Sequence, residues 1–316
     1  MSINYSSKMS KIQTGSKFKM KIFLKYKYFY IMLIPGLIYT ILFHYTPMFG
    51  LLLGFKDFKI FMGVFDSPWV GFDNFAKLFT SLKFYKVMGN TALISMYKIV
   101  FGFPIPIILA LMINEATKSV FRRTIQTVVY LPHFISWVVT AGLVINFLSP
   151  TDGFLNGFIN LFGGESIFFM GSNQYFRSIL VISDIWKEMG WGAILYLAAL
   201  AGVPQEMYEA AIIDGANRIQ RIRYISIPSI MSTIVILLLL RMGGILNAGF
   251  EQVFSLYNSA VYDVADIIDT YVYRVGIIQT QYGFSTAVGL FKSIIACTLV
   301  LTSNWFAKKV GQESLF

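Results

Sequence analysis

Glu209-Ala210-Ala211-Ile212-Ile213-Asp214-Gly215-Ala216, followed by Ile225-Ser226-Ile227-Pro228, is the stretch on which the reading of this chain turns. It is short, polar and Ala-rich, and it lies between two long apolar segments. Its local grammar is helix, turn, helix. Pro204 suits a first helical position, where its missing N–H would have had no intrahelical partner. Gln205 to Asp214 then reads as a short helix, with Glu206 and Glu209 toward its positive N-terminal end. Gly215 permits the backbone to turn, Asn217 to Tyr224 continues with Arg218, Arg221 and Arg223, and Pro228 opens the next apolar segment. Ala210 and Ala211 offer a small-residue face on which a partner's cleft can close, with acidic and basic side chains around them to pair across the interface. Without the motif spacing, the same segment reads as an amphipathic connector at a membrane surface.

The sequence on either side belongs to a membrane protein. Of 316 residues, 56% are hydrophobic and 13% charged, and the mean hydropathy is +0.64. That composition excludes a soluble enzyme. A helix needs about 20 apolar residues to cross the hydrocarbon core. Six stretches qualify, at roughly 29–54, 88–113, 125–148, 178–202, 229–249 and 285–306. The loops between them are too short for a catalytic domain. The expected fold is therefore an all-α membrane protein with six transmembrane helices over 29–306, the polar loop 203–228 within them, a basic segment at 1–28 and a short tail at 307–316. The first stretch is too long for a signal peptide, contains Pro35 and Pro47, and is followed by no small-residue cleavage site; it reads as a retained span.

Basic residues orient the bundle. Lys8, Lys11, Lys17, Lys19, Lys21, Lys25 and Lys27 crowd the first 28 residues with no acidic residue among them. Lysines resist translocation and are drawn to the anionic inner leaflet, which places this end in the cytoplasm. Six spans then bring the C-terminus and the 203–228 loop to the same side. The segments so placed hold 15 of the 26 Lys and Arg residues, while the last outer loop sets Glu251, Asp263, Asp266 and Asp269 against Arg274. The net charge of +10 thus reports membrane orientation rather than nucleic-acid binding. Cys297, alone and mid-span, allows no intrachain disulfide.

Catalytic motifs are absent. There is no G-x-x-x-x-G-K-[ST] phosphate loop, no H-E-x-x-H and no zinc-type Cys/His cluster, and His44 and His133 are the only histidines. Any ATP-driven work must draw on hydrolysis in another polypeptide. With that, the spacing E-A-A-x3-G-x9-I-x-[LI]-P, seven fixed positions over twenty residues, resembles the EAA loop of ABC-importer permeases, and E-A-A-x-x-D-G-A resembles the carbohydrate type in particular. Ile34-Pro35-Gly36-Leu37-Ile38-Tyr39, Tyr45-Thr46-Pro47-Met48-Phe49-Gly50, Ser67-Pro68-Trp69-Val70-Gly71-Phe72-Asp73-Asn74-Phe75 and Tyr130-Leu131-Pro132-His133-Phe134-Ile135-Ser136-Trp137 are similar to the polysaccharide and aldouronate oligosaccharide permeases.

The resemblance implies that Glu209, Ala210, Ala211, Asp214, Gly215, Ile225 and Pro228 engage an ATPase. It further implies a second homologous permease, two ATPase subunits carrying ATP and Mg, an extracytoplasmic solute-binding protein, an oligosaccharide cargo and alternating access in a bacterial cytoplasmic membrane. No cofactor or metal is expected on this chain. Within the family the alternative is another small sugar-like solute. From other classes, an ion-coupled secondary transporter or channel would need no docking helix and would favour inverted repeats, which are not seen, and a membrane-bound enzyme lacks its catalytic set.

Polar residues inside spans cost free energy and are candidate functional groups. Lys98, Asn146, Asp184, Lys187, Glu188, Arg241, Asn247 and Lys292 fall within or at the ends of spans. For Asp184, Lys187 and Glu188, pairing along one helix at its start is the plain alternative. Arg241 and Lys292 are expected to snorkel or to pair with carboxylates such as Glu251. Asn247 and Glu251, four residues apart, should share a face at the outer end of the fifth span, offering the donors and acceptors a sugar needs. Trp137 and Asn146, nine apart, should oppose each other on the third span, and of the two Asn146 is favoured for the substrate path. Trp191 adds an aromatic face for a sugar, or an interfacial anchor.

Overall fold

Long apolar runs interrupted by Pro, Gly and polar clusters become helices with sharply placed breaks. The computed structural model describes residues 25–309. Most of the basic N-terminal segment, Lys8 to Lys21 included, and residues 310–316 of the tail lie outside the described residues. The chain divides into two units, Met1–Leu52 and Leu53–Phe316. In the first, α1 (Lys27–Thr40) continues through a π turn at Ile41–Tyr45 into a 3-10 stretch, Thr46–Phe55. It is apolar on all sides and none of the residues of α1 is buried, as suits a helix facing lipid or another chain.

The second unit holds the rest. Its principal helices are α2 (Asp73–Thr80), α3 (Leu82–Gly102), α4 (Pro104–Asn114), α5 (Ser119–Tyr130), α6 (Trp137–Phe147) and α7 (Asn173–Ala201). After these come α8 (Gln205–Ile213), α9 (Arg218–Arg221), α10 (Met231–Gly243), α11 (Phe250–Leu256), α12 (Ile268–Val272) and α13 (Tyr282–Lys309). No strand forms among the described residues.

Each junction has a local cause. Pro104 sits at the start of α4, where a missing N–H costs nothing, so α3 and α4 form one apolar rod from Leu82 to Asn114. Between α5 and α6 a 3-10 turn at Leu131–Phe134 carries Pro132, and Ser136 starts α6 anew by accepting from the Val139 N–H at 3.3 Å. The two helices meet at 105°. Pro228 lies just before a second break, where α10 leaves the helix ending at Ser229 by 62°.

Three helices among the described residues are long and apolar enough to cross a membrane: Lys27–Phe55, Leu82–Asn114 and Tyr282–Phe306. The two bent pairs qualify if each is one span. The helix expected at 178–202 forms as α7, 29 residues long, with Asp184, Lys187 and Glu188 in its middle rather than at its start. The helix expected over 229–249 stops at Gly243.

α7 is the axis on which the unit packs. Ala110 and Leu111 of α4 meet Ala193, Tyr196 and Leu200 of α7, with Ile230 completing the cluster. Ala110 and Ala193 are fully buried, and small side chains at such a contact let two backbones approach closely. Further toward the N-terminal end of α7, Phe176 and Leu180 pack with Ile94, Ala141 and Val253. A third cluster joins Leu78 of α2, Phe84 and Val87 of α3, Ile268 and Tyr271 of α12, and Val288 of α13. The Phe55–Asn74 segment folds on itself: Phe55 stacks on Trp69 at 5.7 Å, and Asn74 Nδ2 donates to the Gly54 and Lys56 carbonyls at 3.0 and 3.1 Å.

Candidate functional site: an exposed helical hairpin and a polar cavity

The 203–228 loop folds as a helical hairpin. Pro204 is the cap before α8 rather than its first residue (φ −57°, ψ 131°), and Glu206 lies in the first turn. The C-terminal end is a Schellman stop. The Ala216 N–H donates to the Ala211 carbonyl at 2.8 Å and the Gly215 N–H to the Ile212 carbonyl at 3.0 Å, with Gly215 left-handed at φ +79°. Asn217 then caps α9 in a reciprocal box with Gln220: Asn217 Oδ1 accepts from the Gln220 N–H at 2.9 Å, and Gln220 Oε1 from the Asn217 N–H at 2.7 Å. The Asp-Gly-Ala-Asn run therefore stops one helix and starts the next within four residues.

Glu209, Ala210, Asp214, Gly215 and Pro228 are exposed; Ala211 and Ile225 are half-buried. Beside them the hairpin presents large apolar side chains to the outside, among them Ile213, 86% exposed, and Ile219, 75% exposed. One contact closes the hairpin on itself and another holds it to the bundle: Tyr208 Oη and the buried Ser226 Oγ are 3.0 Å apart, and Arg221 Nη2 donates to Glu115 Oε2 at 2.8 Å. The Glu115 and Arg221 side chains are 14% and 16% exposed. A cleft of about 560 Å³ lies behind the hairpin, between it and the turn after α4.

A second site lies midway along α3 and α7. Lys98 is 6% exposed, and its ammonium donates to Asp184 Oδ1 at 3.0 Å, to the Ala248 carbonyl at 2.9 Å and to Gln252 Oε1. All three donors of the ammonium are satisfied, the condition under which a buried lysine is tolerated. Gln252 passes the network on, donating to the Leu180 carbonyl and to Ser183 Oγ, each at 2.8 Å. Gly249, at φ +93°, lets the chain pass over this point; a Cβ there would stand 2.9 Å from Lys98 Nζ. Arg241 approaches the other carboxylate oxygen of Asp184 at 3.6 Å. These groups border a cavity of about 330 Å³ lined also by Ser95, Trp137 and Asn247.

Of the residues expected along a substrate path, Asn247 borders this cavity, whereas Asn146, Glu251 and Trp191 do not line it. Asn146 is exposed elsewhere on α6, while Trp137, nine residues before it, borders the cavity. Asn247 and Glu251 do not share a helical face. α10 ends at Gly243, the left-handed Gly249 intervenes, and Glu251 lies in the first turn of a new helix. Asn247 Oδ1 instead accepts from Lys292 at 2.7 Å, and Lys292 also pairs with Asp269 at 2.6 Å. Trp191 stacks on His133 at 4.4 Å. Arg241 pairs with Asp184 rather than Glu251.

Asp184, Lys187 and Glu188 look across to other segments more than along their own helix. Lys187 donates to the His133 carbonyl at 2.6 Å, and Glu188 meets His133 Nδ1 at 2.8 Å. Sequence reasoning singled out the charged members of this network, because charge in an apolar run is conspicuous. Ser95 and Gln252 carried no such signal.

A profile of the family described as "Binding-protein-dependent transport system inner membrane component" matches residues 102–312. The chain is similar to Protein LplB of Bacillus subtilis (strain 168), 48% identical over 290 residues that span 92% of this chain and 91% of the relative. It is also similar to the polygalacturonan/rhamnogalacturonan transport system permease protein YteP of the same organism, 42% identical over 92% and 90% of the two chains. Among solved structures, a chain of a bacterial alginate ABC transporter, in complex with an alginate pentasaccharide-bound periplasmic protein, superposes with a TM-score of 0.86 at 40% identity, covering 93% of this chain and 99% of that one.

Proposed function

The chain belongs to the inner membrane components of binding-protein-dependent transport systems, and from that premise we propose that it is the subunit through which an oligosaccharide enters the cell, driven by ATP hydrolysed on other chains. The cargo is inferred from relatives aligned over about nine-tenths of both partners, one a permease for polygalacturonan and rhamnogalacturonan, the other part of an alginate transporter. The observation that carries the coupling is the 203–228 hairpin: a sharply stopped helix, tied to the bundle through Arg221 and Glu115, whose Glu209, Ala210 and Gly215 are exposed beside bare apolar side chains.

On this reading the chain crosses the membrane six times with both termini cytoplasmic. It pairs with a second permease and docks two ATPase subunits, which hold the ATP and Mg. It receives cargo from an extracytoplasmic binding protein. Closure of the ATPases pushes on α8. The push reaches α10 through Ser226 and the turn at Pro228, and reaches α4 through Arg221 and Glu115. These helices border the cavity or lead into it, so the hairpin's movement opens one side of the path and closes the other.

The test is reconstitution of the chain with its partner permease, ATPase and binding protein in liposomes. ATP-dependent accumulation of a labelled oligosaccharide is expected, and none should occur when the binding protein is left out. Accumulation driven by an ion gradient without ATP would refute the assignment.

A further inference from the structure

Building on the oligosaccharide reading above, we propose that the cavity bordered by α3, α6, α7 and α10 recognises a carboxylate-bearing sugar unit, with Arg241 as the carboxylate's partner. The charges around the cavity carry the argument. Asp184 lies between two cations, Lys98 at 3.0 Å and Arg241 at 3.6 Å. Glu188 is met by Lys187 at 3.8 Å, and Lys292 is matched by Asp269. Lys98 and Arg241 therefore share one carboxylate, Asp184, which leaves one positive charge more than that carboxylate can meet.

That surplus falls on Arg241. Lys98 spends its three donors on Asp184, Ala248 and Gln252 and has none left for a ligand. The Arg241 guanidinium makes no hydrogen bond among the described residues, its side chain is 40% exposed, and it borders the cavity. A guanidinium presents its donors as a fork that matches a carboxylate in two places at once.

The remaining lining is equally unspent. Ser95 Oγ is buried, borders the cavity and has no hydrogen-bond partner. The side-chain Nδ2 of Asn247 makes no hydrogen bond among the described residues, while its Oδ1 accepts from Lys292. Trp137 supplies an aromatic face for the C–H face of a pyranose. At about 330 Å³ the space lies at the low end of ligand pockets and suits a unit or two of a longer chain passing through.

The test uses the complete transporter in nanodiscs without its binding protein, which isolates this site from the one on that protein. Binding of trigalacturonate and of its carboxyl-reduced, neutral counterpart is followed by saturation-transfer NMR. The acidic trisaccharide should bind on the order of tenfold more tightly, the scale of one charge-assisted contact. Arg241→Gln should bring it down to the level of the neutral sugar without changing the latter. Arg241→Lys, which keeps the pairing charge for Asp184, should retain part of the preference and covers the case in which the Gln variant does not fold. Equal binding of the two sugars to the unaltered transporter, an undiminished preference in both Arg241 variants, or no binding of either sugar would overturn the proposal. ATP-dependent uptake by the same preparation with binding protein restored separates the two readings. Uptake without acidic preference leaves the permease assignment standing and removes only the role of Arg241.

Discussion

An ammonium held out of water inside a bundle is stable only while its donors are met, and Lys98 depends on three groups from three segments to meet them. Lys98→Met would leave Asp184 with only the more distant Arg241 and would orphan Gln252 Oε1. Breaking such a pair costs about 3–5 kcal/mol, so the variant should unfold at a clearly lower temperature in a detergent thermal-shift assay. Adding Asp184→Asn should cost less than the sum of the two single changes, because both remove one interaction. An unchanged unfolding temperature would show that the hub does not hold these helices together. At Gly215 the stake is coupling instead. Its φ of +79° is a conformation that costs an L-residue about 1–2 kcal/mol, and more when the side chain is β-branched. Gly215→Val should therefore distort the stop of α8 while leaving the buried clusters untouched, and Glu209→Lys should reverse a charge on the exposed face. Both variants should insert normally and lose oligosaccharide uptake. Uptake at the unaltered rate in both would show that the hairpin transmits nothing.

Among the elements, the hairpin was the most legible in sequence, since Pro204 and Gly215 each act on the backbone locally; the structure makes Pro204 the cap, ends the first helix at Ile213 and adds the Asn217 cap that sequence spacing did not announce. The long apolar runs were legible as helices but their breaks were not. Nothing within 229–249 marks the stop at Gly243 as distinct from other membrane glycines, and the close approach of Gly249 to Lys98 just beyond it is a contact across 151 positions of chain. That unseen break is why Asn247 and Glu251 failed to share a face. The bonding of α7 was hidden for a related reason. Spacing along one helix suggests its own partners, whereas Asp184 and Lys187 find theirs on α3 and in the turn before α6. The tie between hairpin and bundle was hidden in the same way. Arg221 and Glu115 are both largely buried and 2.8 Å apart, so Glu115→Arg or Arg221→Glu alone would set like charges together. Each single variant should hydrolyse ATP with weakened uptake, and the double exchange should restore much of the coupling. Single variants that transport as well as the unaltered protein would remove this pair from the transmission route.

For the molecule as a whole, the direction of the helices bears on how often the chain crosses the membrane. α3–α4 and α7 run parallel: Asn90 meets Arg177 at 2.8 Å near their starts, and Ala110 packs with Ala193 toward their ends. The chain between them must then return once, a task that falls to the bent pair α5 and α6. α10 runs opposite to α13, with Gly243 beside Val300 and Asn247 beside Lys292. This alternation supports six crossings only if α7 is itself a span, with Asp184 paired to Lys98 and Arg241, and Glu188 hydrogen-bonded to His133, rather than to water. Orientation rests on a separate quantity, the excess of Lys and Arg on one side. The two are tested together by accessibility. Cys297 is the only cysteine; with Cys297→Ala as background, single cysteines are placed at Thr117 and Ile219, and at Gly163 and Asp263, all exposed. A membrane-impermeant maleimide should label positions 163 and 263 in intact cells, and 117 and 219 only in inside-out vesicles. Labelling of 117 and 163 from the same side would mean that α5 and α6 do not cross as one span. Labelling of 219 in intact cells would turn the bundle over, leaving the hairpin where no ATPase reaches it.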